Sequence, residues 1–267
     1  MSARLTFTVL GCGSSGGVPR IGGHWGDCDP ANPKNRRRRC SLLVEKDTGG
    51  KKTTVLIDTS PDMRDQLLST NVGTLDAVVY THSHADHVHG IDDLRMVVFN
   101  MRQRVPVWAD GATQNDLLSR FGYAFVQPKD SPYPPILELH TIGDSDFMIS
   151  GPGGDIAFTP IRVDHGSIDA LAFRVNGVVY MPDVSNIYEE SWSKLEAMDC
   201  FIVDALRRTP HPTHAHLDQS LQWIRQLTPK QAVLTNMHID LDYDTVKSET
   251  PDNVLPAFDG MKISFDL

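Results

Sequence analysis

The sequence predicts an α/β chain of the αββα kind, two mixed β-sheets sandwiched together with helices outside. Two observations point there. Strand-like segments dominate both halves of the chain, and helical segments are interleaved with them. The 267 residues are 40% hydrophobic, enough for the core of one large domain. With no internal repeat and no low-complexity linker, residues 1–267 read as a single domain.

Residues 5–10 alternate and read as a strand. Gly11-Cys12-Gly13-Ser14-Ser15-Gly16-Gly17-Val18-Pro19 follows as a glycine-rich loop. It lacks the Lys-Ser/Thr ending of a P-loop, so its glycines are read as letting backbone pass close to a site. Residues 20–40 are irregular, with Gly, Pro, Asn and Asp throughout. Residues 41–46 and 53–57 read as a hairpin around Thr48-Gly49-Gly50. Asp58 ends its second strand, and Pro61 can open a short helix. Residues 75–80 form an apolar run expected to be a buried strand. Ile91, Leu94, Val97, Val98 and Met101 give residues 88–103 helical spacing. A strand over 105–108, a helix over 115–121 and a proline-containing loop over 127–135 follow. Strands are expected over 156–163, 170–175, 178–181, 200–204, 232–235 and 262–267. Helices are expected over 187–197 and over 217–227, where Leu217, Leu221, Ile224 and Leu227 share a face.

No run approaches the roughly 20 apolar residues of a membrane span. The N-terminal residues Met1-Ser2-Ala3-Arg4 enter a strand pattern without a signal-peptide block, so a cytoplasmic protein with no membrane partner is expected. Cys12, Cys28, Cys40 and Cys200 are too few and too scattered for a disulfide framework and read as free thiols. A net charge of −9 repels a long polyanion, which disfavours long nucleic acid but not a small phosphorylated substrate. Arg36-Arg37-Arg38-Arg39 is the one concentrated basic run. It reads either as a solvated loop face or as anion recognition, with Arg39 the residue expected to touch substrate.

Thr81-His82-Ser83-His84-Ala85-Asp86-His87 carries the most information. Three histidines and an aspartate within six residues are hard to explain as packing, and both side chains are metal ligands. An extended chain sends His82 and His84 to one side, and a helix starting near Asp86 turns Asp86 and His87 back toward the same spot. Further candidates end strands: His165, Asp183 and His238. Strand ends are rigid platforms for a metal site.

At these residues the chain resembles the metallo-β-lactamase-fold hydrolases, whose His-x-His-x-Asp-His signature it carries. Gly11 to Pro19, Cys40-Ser41 after the arginine run, Asp86-His87-Val88-His89-Gly90 and Asp259-Gly260-Met261 are similar to the phosphoribosyl cyclic phosphate phosphodiesterases, relatives of the ribonuclease Z group. The resemblance runs from about residue 5 to 265. It implies two divalent ions (zinc or manganese, with iron open): His82, His84 and His165 on one, Asp86, His87 and His238 on the other, and Asp183 between them. It also implies hydrolysis through a metal-bound hydroxide. Asp58 matches an acidic residue of an early strand and is expected to orient a ligand imidazole. The branch's last metal histidine directly follows Leu-Thr. Here Asn236 stands there, and His238 is taken as the ligand because two residues along an extended strand restore the same side. A structural zinc of the branch is expected to be absent, since residues 24–30 hold one cysteine.

His214, in His211-Pro212-Thr213-His214-Ala215-His216, matches a non-ligand histidine of the branch. It is expected to protonate the leaving alkoxide or to steady phosphate charge, with Asp86 and Asp58 completing the catalytic set. His216 is expected to begin the following helix, and Asp218 to favour its N-terminus. No basic tRNA-holding arm is visible. The leading expectation is a dinuclear phosphodiesterase acting on a small, cyclic or nucleotide-type phosphodiester. A carboxylic ester, thioester or lactone hydrolase on the same metals is the alternative, and a metal-stabilised nucleotide-binding module a third. A homodimer is implied by resemblance alone.

Overall fold

The computed structural model describes residues 3–127 and 129–267; Met1, Ser2 and Pro128, read above as part of the N-terminal segment and of a loop, lie outside the described residues. In chain order the elements are β1 (Ala3–Gly11), β2 (Ser41–Thr48), β3 (Lys51–Ile57), α1 (Met63–Thr70), β4 (Ala77–Val79), α2 (Ala85–Val88), α3 (Leu94–Met101), β5 (Val105–Ala109), α4 (Gly111–Phe125), β6 (Leu137–Thr141) and β7 (Phe147–Ile149). Then come β8 (Ile156–His165), β9 (Ile168–Val175), β10 (Val178–Met181), β11 (Asn186–Ile187), β12 (Cys200–Asp204), α5 (Leu217–Leu227), β13 (Gln231–Thr235), α6 (Tyr243–Glu249), β14 (Val254–Pro256) and β15 (Lys262–Asp266). The chain divides into two compact units: one from the residues up to Leu10, Ser41–Ala157 and Lys262–Leu267, the other from Gly11–Cys40 and Phe158–Met261.

The first unit carries a mixed sheet in the order β15-β1-β2-β3-β4-β5-β6. β2 and β3 form the expected hairpin, with Leu42 opposite Ile57. Its turn residues Gly49 and Gly50 have φ of 64° and 84°, the positive pair that a two-residue hairpin turn needs. From β3 to β6 the pairing is parallel. Leu10, Leu43, Leu56, Val78, Tyr80, Val88, Ile91 and Leu94 share one buried cluster. Each such aliphatic side chain contributes about 1.5–3 kcal/mol of transfer free energy. The cluster fixes the end of β4, from which the histidine segment departs.

The continuous helix expected over 88–103 is interrupted. Gly90 donates its N–H to Thr59 O, and a Cβ there would lie 2.1 Å from Ser60 O. The chain hugs the segment after β3 and restarts as α3. The helix expected over 115–121 is longer, because the Asp110 carboxylate caps Thr113 N–H, and it bends at Phe121. Gly90→Ala is expected to lower the urea-unfolding free energy by about 1–3 kcal/mol, through the backbone shift its methyl forces.

The second unit's sheet runs β11-β8-β9-β10-β12-β13-β14. Antiparallel pairs β8–β9–β10 give way to parallel β10–β12–β13–β14. Those parallel strands end together, with Asp204 level with Thr235, and carboxyl ends of parallel strands are where such sheets collect ligands. The helix expected over 187–197 is instead a short strand and a 3-10 helix (Glu189–Leu195). Asn186 and Ile187 pair with Asp164 and Val163, which takes the residues a first α-turn would use. α5 lies where expected and buries Leu217, Ser220, Trp223 and Ile224.

α6 was not expected from the sequence. Asp242 caps it through Thr245 N–H, and also accepts from Asn35 Nδ2 at 2.6 Å and Asp29 N–H at 3.2 Å. Burial alone would raise this carboxyl, but those hydrogen bonds outweigh it and hold it down at about 2. A depressed folded-state value contributes stability above the unfolded pKa and loses it as pH falls toward the folded one. Unfolding free energy followed from pH 5 to pH 2 should therefore fall less steeply in Asp242→Asn than in the parent chain, and Asp242→Asn should cost about 1 kcal/mol at neutral pH, because its NH2 faces donors that one carboxylate oxygen now accepts from.

Candidate active site

In the first unit the strand β4 delivers Thr81 and His82 to a buried position, and α2 begins three residues later. Asp58, at the end of β3, is fully buried with φ 63°, a conformation that short polar side chains tolerate. Its carboxylate accepts Thr81 N–H at 2.8 Å, Thr81 Oγ1–H at 2.8 Å and His87 Nδ1–H at 2.7 Å. Burial pushes the Asp58 carboxyl up, and His87 is the strongest influence pulling it back. Because Thr81 Oγ1 spends its proton on Asp58, its lone pairs accept His82 Nδ1–H at 3.0 Å. Both imidazoles therefore hold their proton on Nδ1 and present a lone pair at Nε2. The His82 ring lies 4.6 Å from that of His84 and 4.3 Å from that of His87, and Asp86 Oδ2 is 3.6 Å from His87 Nε2. The structure thus places His82, His84, Asp86 and His87 close together, with Asp58 hydrogen-bonded to His87.

The second unit repeats the device. His165, ending β8, gives its Nδ1–H to Thr213 O at 2.7 Å. Its Nε2 then faces Asp183 Oδ2 at 3.5 Å. The His214 ring stands 4.7 Å from that of His165, and its Nδ1–H goes to Asp204 Oδ2 at 2.9 Å. Burial pushes the Asp204 carboxyl up, partly offset by the His214 ring beside it. The Asn236 amide donates to Asp204 Oδ1 at 3.2 Å and reaches Asp183 Oδ1 at 3.4 Å. Gly166 permits this close assembly, since a Cβ there would lie 2.4 Å from Thr213 Cγ2.

The chemistry of these donor sets fits a metal ion. In both units an imidazole lone pair and a carboxylate oxygen, two acceptors, sit 3.5–3.6 Å apart. Such a pair calls for a positive charge between its members, a proton or a metal ion. Hydrogen-bonded, tautomer-locked imidazoles with carboxylates beside them are the donor set of a divalent transition ion.

Several residues depart from expectation. His238 has other partners than the Asp183 group: Nδ1–H goes to Asp240 Oδ1 at 3.2 Å, and Nε2 accepts from Arg20 Nη2. The place beside Asp183 that was assigned to it belongs to Asn236, two residues earlier, whose φ of 59° turns the chain away from the extended path that the assignment assumed. Arg39 packs beside Gly17, and the arginine run is not one face. Arg36 lies over Trp25, Arg37 is buried, and Arg38 pairs with Asp259 at 2.9 Å. His89 packs edge-on against Phe121, and His216 is the N-cap residue of α5, with Asp218 in its first turn. The four cysteines are free and buried, and burial pushes the Cys200 thiol up to about 12. Asp204 was missed, although it ends an apolar strand as Asp183 does; the same signal applied evenly would have found it.

A family model described as a β-lactamase superfamily domain matches residues 53–239. The chain belongs to this family. Among solved structures, a diphosphatase of the PhnP family is 36% identical, with a TM-score of 0.88 over 100% of this chain and 99% of that one. Human short-form tRNase Z shares the fold at 15% identity, TM-score 0.62, over 97% of this chain and 98% of its own. An octanoyltransferase of Porphyromonas gingivalis is 31% identical over 97% of this chain and 51% of its own length, so the chain spans about half the length of the curated relative it matches. The chain has the metallo-β-lactamase fold, as the resemblance implied. No helix among the described residues is long and apolar enough to cross a membrane.

Asp58→Asn replaces an acceptor of three hydrogen bonds with a group that must present one donor to them. Metal content after dialysis against graded chelator should show affinity reduced on the order of 10–100-fold, with unfolding free energy lowered by about 1–3 kcal/mol.

Proposed function

We propose that this protein is a divalent-metal-dependent phosphodiesterase for small, nucleotide-like phosphodiesters, including those bridged by a diphosphate. In this reading His82, His84, His165 and Asp183, which offer one ligand atom each, hold one ion. Asp86, His87 and Asp183 hold a second, with Asn236 at the position of the branch's last metal histidine and His238, expected as its substitute, outside the set. The observation that carries the reading is the pairing of a tautomer-locked Nε2 with a carboxylate in each histidine set. The full-length likeness to a diphosphatase supplies the preference for phosphorus. Divalent ions at such donors polarise phosphoryl oxygens and lower the pKa of water.

The remaining steps belong to side chains. His214 can take a proton at Nε2 and return it to the departing alkoxide, since Asp204 holds its other nitrogen and stabilises the charged ring. Asn236 donates to Asp204, and by reaching Asp183 it keeps two buried carboxylates apart. Asp58 sets the direction of His87 and, through Thr81, of His82. The octanoyltransferase name does not carry an acyl-transfer reading, since this chain spans 51% of that relative, and a cysteine nucleophile is disfavoured because all four cysteines are buried.

Purified protein loaded with manganese or zinc should hydrolyse bis(p-nitrophenyl) phosphate and nucleotide-type diesters faster than any member of a lactone and thioester panel. Turnover confined to the carboxylic esters would sink the reading. His84→Ala should lose metal and rate together. His214→Ala should keep its metal while kcat falls about 10²–10⁴-fold, the usual worth of a general acid.

A further inference from the structure

Arg20 is an exposed arginine for which no carboxylate partner is found among the described residues. Seven other arginines are matched to acids: Arg4 with Asp266, Arg38 with Asp259, Arg64 with Asp65, Arg95 with Asp92, Arg120 with Asp116, Arg162 with Asp169 and Arg208 with Glu249. Arg37, Arg174 and Arg207 are held by carbonyl oxygens, and Arg20 differs from these in being held by an imidazole. The contact of Arg20 is with a neutral acceptor, His238 Nε2. Asp240 Oδ1 takes the Nδ1–H of that ring, which fixes the tautomer and makes Nε2 an acceptor. One guanidinium corner is thereby held, and no carboxylate touches the guanidinium directly.

The arm is built rather than adventitious. The Arg20 stem lies across Gly16, where a Cβ would come within 3.4 Å of Arg20 Cγ and 3.5 Å of Nε. Its backbone closes a turn, with Arg20 N–H on His24 O at 2.9 Å and Gly23 N–H on Arg20 O at 2.9 Å. The His238 segment is equally fixed. His238 N–H bonds Leu206 O at 2.8 Å, and the buried Arg37 guanidinium donates to His238 O at 3.3 Å and Leu241 O at 2.7 Å. Asp240 also receives Arg208 N–H at 3.0 Å. His238 stands two residues beyond Asn236, which touches Asp204 and reaches Asp183. It also shares the field of His211, whose ring lies 5.2 Å from His214.

We infer that Arg20, aimed by the His238–Asp240 pair, is the specificity arm that binds the second phosphate of a diphosphate-bridged substrate, and that His238 serves this arm instead of a metal ion. The inference rests on the phosphodiesterase reading for its substrate class. One phosphate sits at the ions and is cleaved, and its neighbour meets the free edge of the guanidinium. A planar guanidinium suits this task because its remaining N–H groups make charge-assisted bonds to phosphate oxygens. In a chain of net charge −9, a cation that no carboxylate touches directly is also what draws a dianion to one spot.

Calorimetric titration of metal-loaded protein with inorganic pyrophosphate and with orthophosphate, with released orthophosphate measured to correct for any cleavage, tests the arm without diester turnover. Parent protein should prefer pyrophosphate by about tenfold, the worth of one charge-assisted contact. Arg20→Ala should reduce that ratio to near one, and Arg20→Lys should restore part of it. With a dinucleoside diphosphate as substrate, the loss in Arg20→Ala should appear as a raised KM rather than a lowered kcat. His238→Gln and His238→Ala should retain the parent metal content and lose pyrophosphate preference. An undiminished preference in Arg20→Ala, or loss of a metal equivalent in either His238 variant, overturns the inference. Failure of the parent enzyme to cleave any phosphodiester overturns the reading of function instead, while the pyrophosphate titration still decides the arm.

Discussion

The direction of an imidazole lone pair is the constraint on which this protein's chemistry depends. A neutral histidine has one donor and one acceptor nitrogen, and only the acceptor can bind a cation. Here the choice is made by oxygen atoms that accept from one ring nitrogen: those of the Asp58 carboxylate, the Thr213 carbonyl and the Asp204 carboxylate. Thr81 extends the rule by one step, since its hydroxyl proton is committed to Asp58 and it can only accept from His82. Asp58 thus sets two rings at once. That explains why a fully buried carboxylate is kept in a place where desolvation opposes its charge.

Much of the first histidine set was legible in the sequence because its members are neighbours along the chain. A strand followed by a helix start brings His82, His84, Asp86 and His87 together by local geometry alone. The sheet strands were legible for a similar reason: alternation and apolar runs are local signals. The second set depends on which strand ends lie side by side, and that is settled by the β10–β12–β13 parallel order, which no local pattern encodes. Asp204 and Asn236 are adjacent only because Asp204 pairs in register with Thr235. His238 was placed by assuming an extended path through Asn236, whereas the chain adopts a left-handed conformation there and carries the next residues elsewhere. The broken helix at Gly90 has the same character, since the obstacle is Ser60 O, thirty residues away in sequence.

Arg37 shows what composition conceals. Within a run of four arginines it is 2% exposed, and no ion pair compensates it among the described residues. Its guanidinium is solvated instead by Leu241 O, His238 O, Asn35 Oδ1 and the Cys28 sulfur. Burying an uncompensated charge costs several kcal/mol unless dipoles replace water. Carbonyl oxygens do so here only while the segments 28–37 and 238–241 keep their positions. The charge therefore acts as a cross-link, and the rigidity it imposes reaches the residues that carry His238 and Asp240.

The same logic bears on how an acidic protein handles an anion. The mean field of the chain opposes a phosphate, so attraction must come from groups whose neighbours do not neutralise them. Carboxylates facing imidazole nitrogens whose proton is held on the other ring nitrogen create a demand for cations, and cations bound there would invert the local sign. Arg20 reaches the same end by another route, because its partner is a neutral ring that orients the guanidinium without cancelling it. Had the acid of this relay, Asp240, touched Arg20 directly, the pair would be an ordinary surface ion pair. The interposed imidazole transmits orientation while it keeps the carboxylate out of direct contact, which leaves the other guanidinium N–H groups open to an anion.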